Sequence, residues 1–386
     1  MSAAEPPLAG LRVLELARIL AGPWAGQVLA DLGAEVIKVE APEGDDTRRW
    51  GPPFIDREGE RAAAYFHATN RGKRSVRADF RTEEGRARVR ALAAGADVVI
   101  ENFRRGGLAK YGLDYAALAA GNPGLVWCSI TGFGQDGPYG DRAGYDFLIQ
   151  GMSGIMDLTG APDGPPQKMG VAFCDIFTGL YAVIAIQAAL AMRARTGRGQ
   201  QIDMSLLDAS VGVLANQAMN YLATGTAPRR MGNAHPNICP YQVIACADGH
   251  LILAVGNDAQ FARLAGLLGH PGWGDDPRFA TNAARVAHRE TLMPLIEAAT
   301  ASRTRADLLS ACEGAGVPAG PINTVAEVFA DPQVVARRLR IAPEGVPGIR
   351  TPIRFSDATL ALDRAAPALG DADDAPGWHT PPDDEG

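Results

Sequence analysis

Residues 11–40 read LRVLELARILAGPWAGQVLADLGAEVIKVE, and the fold class follows from them. Residues 11–16 are a short apolar run of strand length. Ala21-Gly22-Pro23 opens a helix that runs to Gly33. Proline suits a first turn, where its missing N–H has no partner to lose, and glycine suits a helix stop. Residues 36–40 form the next strand. The alternation continues with strands at 75–80, 98–103 and 125–130 and a helix over 82–94 that Thr82 can cap. Strands separated by helices lie parallel, with helices over both faces of the sheet.

Beyond residue 135 the texture changes. Residues 136–174 are rich in glycine, proline and aspartate and read as loops with one short helix near 145–155. Helices are expected at about 176–194 and 205–223. Thr224-Gly225-Thr226-Ala227-Pro228 is a turn cluster at which the first domain is left. Strands at Tyr241–Cys246 and 250–255 flank Asp248-Gly249, a hairpin signal. Helices near 258–268, 289–299 and 304–315 complete a smaller α+β domain. The last twenty residues, rich in Asp, Pro and Gly, are expected to be loose.

A chain of 386 residues exceeds one ordinary core, so two domains are expected. The net charge of −7 argues against general affinity for nucleic acid or an anionic membrane. The apolar run 176–192 approaches membrane-span length but carries Thr178, Gly179 and Gln187, which favours a buried core helix. No basic stretch precedes an apolar one at the N-terminus, and the five scattered cysteines form no CxxC or zinc spacing. A cytoplasmic protein with reduced thiols and no metal is the expectation.

Asp175 stands where that apolar run begins. Read locally, it is the N-cap of a long buried helix, its carboxylate accepting from free N–H groups at the positive end of the dipole. Such a carboxylate should stay ionised, as a carboxylate nucleophile must.

The common fingerprints of other chemistries are missing. The turn after the first strand, Ala17-Arg18-Ile19-Leu20-Ala21-Gly22-Pro23, lacks the G-x-G-x-x-G of dinucleotide sites. There is no phosphate-binding P-loop and no nucleophile elbow. Residues 71–110 hold eleven Lys and Arg against five acids, a local excess of positive charge in an acidic protein. Arg86, Arg88 and Arg90 fit the solvated face of a helix. Arg81, Arg104, Arg105 and Lys110 follow strands, where an open α/β sheet binds its ligands, and would suit several phosphates. Both readings stand on composition alone.

Several segments together resemble the class III CoA-transferases, the group of formyl-CoA and carnitine CoA-transferases. They are Leu14-Glu15-Leu16-Ala17, Ala21-Gly22-Pro23, residues 31–40, Asn70-Arg71-Gly72-Lys73-Arg74-Ser75, Glu101-Asn102-Phe103, residues 195–200 and residues 316–321. The resemblance spans roughly residues 8–355. It implies a Rossmann-like CoA-binding domain over 1–200, a linker over 201–230 and a small α+β domain over 231–325. A return linker and C-terminal segment over 326–386 would pack on the large domain and end in a loose acidic tail. It also implies an interlocked homodimer. Asp175 matches the family's catalytic aspartate. Leu20, Ala21, Arg81, Asn102, Phe103, Arg104, Lys110 and Tyr145 fall where the family contacts CoA. Leu20 replaces a glutamine of formyl-CoA transferases, and Ala41 replaces an arginine beside the adenine.

The implied substrates are an acyl-CoA and a small carboxylic acid, with no tightly bound cofactor. The implied chemistry runs through acyl and CoA adducts of Asp175. The same fold hosts α-methylacyl-CoA racemases, which need a histidine in the segment that here reads Gly144-Tyr145-Asp146. A phenol ordinarily ionises near pH 10 and is a poor base at neutral pH. Asp146 itself reads as the N-cap of its own helix. A non-catalytic acyl-CoA-binding protein is a third reading, opposed by the intact aspartate segment. Residues 45–53, 232–242 and 256–261 look like the branch that moves CoA from succinyl-CoA to dicarboxylates such as glutarate. Arg48, Arg49 and His235 are the candidates for holding a distal carboxylate.

Overall fold

The computed structural model describes residues 5–57 and 59–379. Six strands form one sheet: β1 (Arg12–Glu15), β2 (Glu35–Glu40), β3 (Lys73–Arg77), β4 (Val98–Glu101), β5 (Val126–Thr131) and β6 (Gln201–Ser205). Their order is β3-β2-β1-β4-β5-β6, and every pairing is parallel. The chain therefore winds outward from β1, then crosses to β4 and winds the other way. A sheet of this order opens a crevice beyond the carboxyl ends of β1 and β4, where the winding reverses.

Alternation along the strands builds two cores. Val13, Val36, Val98 and Val126 face α1 (Ala21–Asp31) and α4 (Phe173–Thr196). Leu14, Ile37, Val76 and Val99 face α2 (Glu83–Ala94). Thr82 caps α2 as its sequence suggested, accepting from the Gly85 N–H at 3.1 Å. The remaining helices used below are α3 (Asp146–Met152), α5 (Leu206–Gly212) and α6 (Ala215–Thr224).

The structure corrects four local expectations. The helix expected over 205–223 is two helices, because Ala215 adopts a left-handed φ of 45°. Strand β6 precedes them and carried too short an apolar pattern to be read. Helix α4 is not buried all round: Ala182, Val183 and Ile186 are buried, whereas Tyr181, Ile184 and Met192 are exposed. It is long and apolar enough to cross a membrane by length and composition, yet one face packs in the core of this sheet. Finally, the C-terminal stretch is tied down through residue 379. Ser75 N–H donates to Asp371 (2.6 Å), Arg77 N–H donates to Asp373 (2.7 Å), and Trp378 Nε1 donates to Leu92 O (3.0 Å). β3 is an edge strand, and this segment satisfies N–H groups that the sheet leaves open.

A second compact unit comprises Met156–Gln167 and Thr224–Asp331. Its sheet pairs β7 (Tyr241–Cys246), β8 (Gly249–Ala254) and β9 (Ala319–Pro321) antiparallel, with β8 central. The short proline-bearing β9 gave no strand signal, as befits an edge. Helices α7 (Asp258–Leu267), α8 (Arg289–Thr300) and α9 (Arg305–Ala315) lie within two residues of their expected bounds.

Three buried charges sit between the first unit's sheet and α1. Glu15 of β1 contacts Lys38 of β2 at 3.0 Å and Lys73 of β3 at 2.7 Å, and all three side chains are inaccessible to solvent. Lys38 also meets Asp45 at 3.0 Å and Ala17 O at 2.8 Å. Gly26 of α1 makes room for this cluster, since a Cβ there would lie 1.8 Å from Glu15 Oε2 and 3.2 Å from Lys73 Nζ. Alanine improves helix propensity by about 1 kcal/mol. Displacing one member of a buried ion cluster costs about 3–5 kcal/mol. The second effect should win, so Gly26→Ala is expected to lower unfolding free energy in urea by roughly 2–4 kcal/mol. A neutral or stabilised variant would show that the cluster tolerates displacement.

Candidate active site

The crevice at the winding reversal is a cavity of about 440 Å³. Three strand ends build it: the turn 18–21 after β1, the segment from Asn102 to Tyr111 after β4, and Thr131-Gly132 after β5. The loop 142–145 and Asp175 complete the wall. Two loops cross here backbone to backbone. A Cβ on Gly132 would lie 2.6 Å from Gly144 Cα, so neither position tolerates a side chain without movement.

The turn after β1 is held by force. Ile19 has φ 73°, a left-handed conformation that is a true outlier for a β-branched residue. Its N–H donates to the Asp45 carboxylate at 3.3 Å. Asn102 grips the preceding residue at both ends, accepting from Arg18 N–H at 2.9 Å and donating to Arg18 O at 2.7 Å. The Asn102 amide, expected at a CoA contact, is thus occupied in shaping the turn. Burial opposes the charge on Asp45, but Lys38 and the Thr47 N–H and hydroxyl outweigh it and hold the carboxyl down at about 2. The turn is therefore fastened to a fixed negative charge at all ordinary pH.

Leu20, Ala21, Asn102, Phe103, Arg104, Lys110, Tyr145 and Asp175 all line this one cavity, brought together from four segments of chain. Arg81 does not. It lines an adjoining cavity of about 320 Å³ with Ala41, Ala78 and Phe80, and pairs bidentately with Asp79. Arg18, Phe103 and Tyr111 line both cavities.

The eleven cations of residues 71–110 divide by partner. Arg71, Lys73, Arg74 and Arg77 pair with Asp31, Glu15, Glu35 and Asp373. Arg86 and Arg90 pair with Glu83, Arg88 with Asp373, Arg81 with Asp79, and Arg105 lies 4.0 Å from Asp141. Among the described residues, Arg104 and Lys110 have no carboxylate partner, and both line the cavity. Arg142 joins them, its guanidinium stacked 4.5 Å from the Tyr139 ring. Sequence reasoning missed Arg142, which lies in a loop without pattern. It also passed over Arg18, although Arg18 follows a strand end directly.

Of the candidates for a distal carboxylate, Arg48 and Arg49 belong to the first unit and do not line this cavity. Arg48 is buried between Glu40 (2.7 Å) and Glu60 (2.7 Å), over the Phe66 ring, and serves the fold. Arg49 is exposed and bonds Glu43 O and Asp46. In the second unit, His235 Nδ1 accepts from the Asn237 N–H at 3.1 Å. Among the described residues no group of three His, Cys, Asp or Glu could hold a metal ion, and all five cysteines are free thiols.

Asp175 departs from its local reading in two ways. The N-cap of α4 is Ala172, which offers no side-chain bond, and Asp175 is the third helical residue. Nor does the helix terminus keep its carboxyl acidic. Burial, and after it the charge of Asp146, push the carboxyl up to about 7. Asp146 is not the cap of α3, whose N-cap is Tyr145. It caps α4 instead, accepting from the N–H groups of Cys174 (2.8 Å) and Asp175 (3.3 Å).

A family model for CoA-transferase family III matches residues 8–373. The chain belongs to this family. It is an enzyme that transfers CoA. A succinate–glutarate CoA-transferase of Agrobacterium fabrum is 61% identical over 375 residues, covering 95% of this chain and 94% of the relative. The human succinyl-CoA:glutarate CoA-transferase is 41% identical over 372 residues, covering 94% and 84%. The crystal structure of a CAIB/BAIF family protein from Brucella suis superposes with a TM-score of 0.87 at 68% identity, covering 96% of this chain and 98% of that one.

A carboxyl whose folded value lies near 7, above the unfolded value near 3.9, binds more protons when folded. Its contribution is full below about pH 4 and is lost as pH rises through 7. At pH 8 the ionised, buried Asp175 therefore weakens the fold. Asp175→Asn is expected to be more stable than the wild type at pH 8 by about 1–3 kcal/mol, and so to melt at higher temperature, with the gap closing toward pH 4. Thermal scans at both pH values check this; an equal or lower melting point at pH 8 would contradict it.

Proposed function

We propose that the enzyme moves CoA from succinyl-CoA to a dicarboxylic acid such as glutarate through covalent adducts of Asp175. The observation that carries this reading is the Asp175 carboxyl in a cavity ringed by Arg104, Lys110 and Arg142, cations without carboxylate partners among the described residues. The names of the two relatives supply the donor and acceptor.

In the proposed sequence, the Asp175 carboxylate attacks the thioester carbonyl of the donor. A mixed anhydride forms and the C–S bond breaks, leaving CoA thiolate. The thiolate attacks the aspartyl carbonyl and expels succinate. The acceptor carboxylate attacks the aspartyl-CoA thioester, giving a second anhydride and thiolate. The thiolate then attacks the acceptor's carbonyl and restores Asp175. Every step exchanges one acyl bond for another, so no outside energy is required. Ala21 lines the cavity in the first turn of a helix whose N-cap Leu20 offers no side-chain bond, and its N–H can donate to an oxyanion.

The adjoining cavity suits the adenosine end of CoA. Ala41, Ala78 and Phe80 offer apolar walls, and Arg81 stands at the rim. The cations of the first cavity suit phosphates. Tyr145 lines the wall where a racemase would need a neutral-pH base, which favours transfer over α-proton exchange.

We also place the enzyme in the cytoplasm as a homodimer interlocked in the manner of its family. The five free thiols suit a reducing compartment. Ile184 on α4 and Met219 and Leu222 on α6 are large apolar side chains left exposed, and a partner subunit would cover them.

Asp175→Ala should abolish transfer, and hydroxylamine added during turnover should convert this side chain alone to a hydroxamate, read by mass spectrometry. Substantial activity in that variant would sink the mechanism. Lys110→Ala should weaken CoA binding by about 1–3 kcal/mol in calorimetry. Undiminished affinity would remove Lys110 from the phosphate site.

A further inference from the structure

Asp146 and Gln150 stand one turn apart on α3, and both turn away from their own helix. Asp146 Oδ1 accepts from the N–H groups of Cys174 (2.8 Å) and Asp175 (3.3 Å), while Oδ2 accepts from Gln150 Nε2 at 2.7 Å. Gln150 is fully buried. Its Oε1 accepts from the Met169 N–H at 2.9 Å, and its Nε2 also approaches Val171 O at 3.4 Å. Two side chains thus clamp the chain from residue 169 to 175, which leads into α4 without a cap of its own.

The clamp needs acceptors, but it does not need a charge. An asparagine would still accept from the Cys174 and Asp175 N–H groups through Oδ1, giving up only the bond from Gln150. A carboxylate there brings a second negative charge against the one acidic group of the cavity, and like charges at short range oppose ionisation. The other groups facing Asp175 bring no such charge. Tyr145, the N-cap of α3, is not a carboxylate, burial pushes the Cys174 thiol up, and the Tyr65 phenol is pushed up to about 12 by burial and then by Asp175 and Asp146. Arg18, Arg104, Arg142 and Lys110, elsewhere on the wall, are cations. A more basic carboxylate is the stronger nucleophile toward a thioester, and the most useful basicity lies near the working pH.

We propose that Asp146 is a positioning residue for Asp175, fixing the first turn of α4 through its hydrogen bonds and keeping the Asp175 carboxylate basic through its charge. This rests on Asp175 as nucleophile. The Asp175 carboxyl, pushed up to about 7 by burial and then by Asp146, fits that role.

Asp146→Asn keeps the Oδ1 acceptor and removes the charge, whereas Asp146→Ala removes both. The test measures kcat/KM for CoA transfer from succinyl-CoA between pH 5 and 9 for wild type and both variants. In parallel, the rate at which a water-soluble carbodiimide labels Asp175 is followed across pH by mass spectrometry, which needs no turnover. Activity of the wild type should rise with pH through about 7. In Asp146→Asn the acidic limb and the labelling midpoint should both move to lower pH, by about one unit. Asp146→Ala should show the same shift with a maximal rate lower by about 10- to 100-fold. A limb and midpoint in Asp146→Asn that superimpose on the wild type would overturn the proposal, as would a shift to higher pH. Transfer surviving in Asp175→Ala would refute the nucleophile instead, and the labelling midpoint would still decide whether Asp146 sets the Asp175 carboxyl.

Discussion

Glu15, shared between Lys38 and Lys73, is the contact on which the first unit's architecture rests. It joins three neighbouring strands, β1, β2 and β3, from the last residue of β1 to the first of β3. Burying charge is costly unless every charge is matched. Here the matching is tight enough to hold Lys73 charged at neutral pH, although burial and Lys38 pull its value down to about 8. Lys38 goes the other way: burial opposes its charge, but Asp45, Glu15 and Glu40 more than offset that. Asp45, anchored by Lys38, in turn holds the strained Ile19. A buried cluster thereby sets the backbone of the cavity wall, several residues from any reacting atom.

The same logic recurs at Asp175. Its elevated carboxyl is not a property of its place on α4, since a helix N-terminus acts in the opposite direction. Burial dominates, and Asp146 on another helix adds to it. The fold accepts an uncomfortable charge at the site and offsets it with two cores elsewhere, a usual division between function and stability.

Much of the architecture was legible because it is local. Strand-length apolar runs, Pro23 in a first turn, Gly33 at a stop and Thr82 at a cap each act within a few residues. They locate β1, α1, β2 and α2 nearly to the residue. The alternation implies the parallel sheet, and the parallel sheet implies where the crevice lies. The second unit's hairpin at Asp248-Gly249 was equally plain. What escaped were short elements whose pattern is weak, β6 and β9, and the break at Ala215, which no turn residue announces.

By itself the sequence determined the α/β class, the parallel sheet, the family resemblance and the placing of Asp175 at the head of an apolar helix. Only the tertiary structure decided which polar groups are free. Arg48 looked available but is enclosed by Glu40 and Glu60. Asn102 lines the cavity, and its amide also holds Arg18, 84 residues away. Asp146 looked like a cap for its own helix but caps one that begins 27 residues later. The tail looked loose, yet Asp371 and Asp373 reach strand β3 some 296 residues earlier. The physical reason is common to all four. A local pattern records which backbone conformation a residue prefers, whereas an ion pair or hydrogen bond between distant residues exists only once the chain has brought them together.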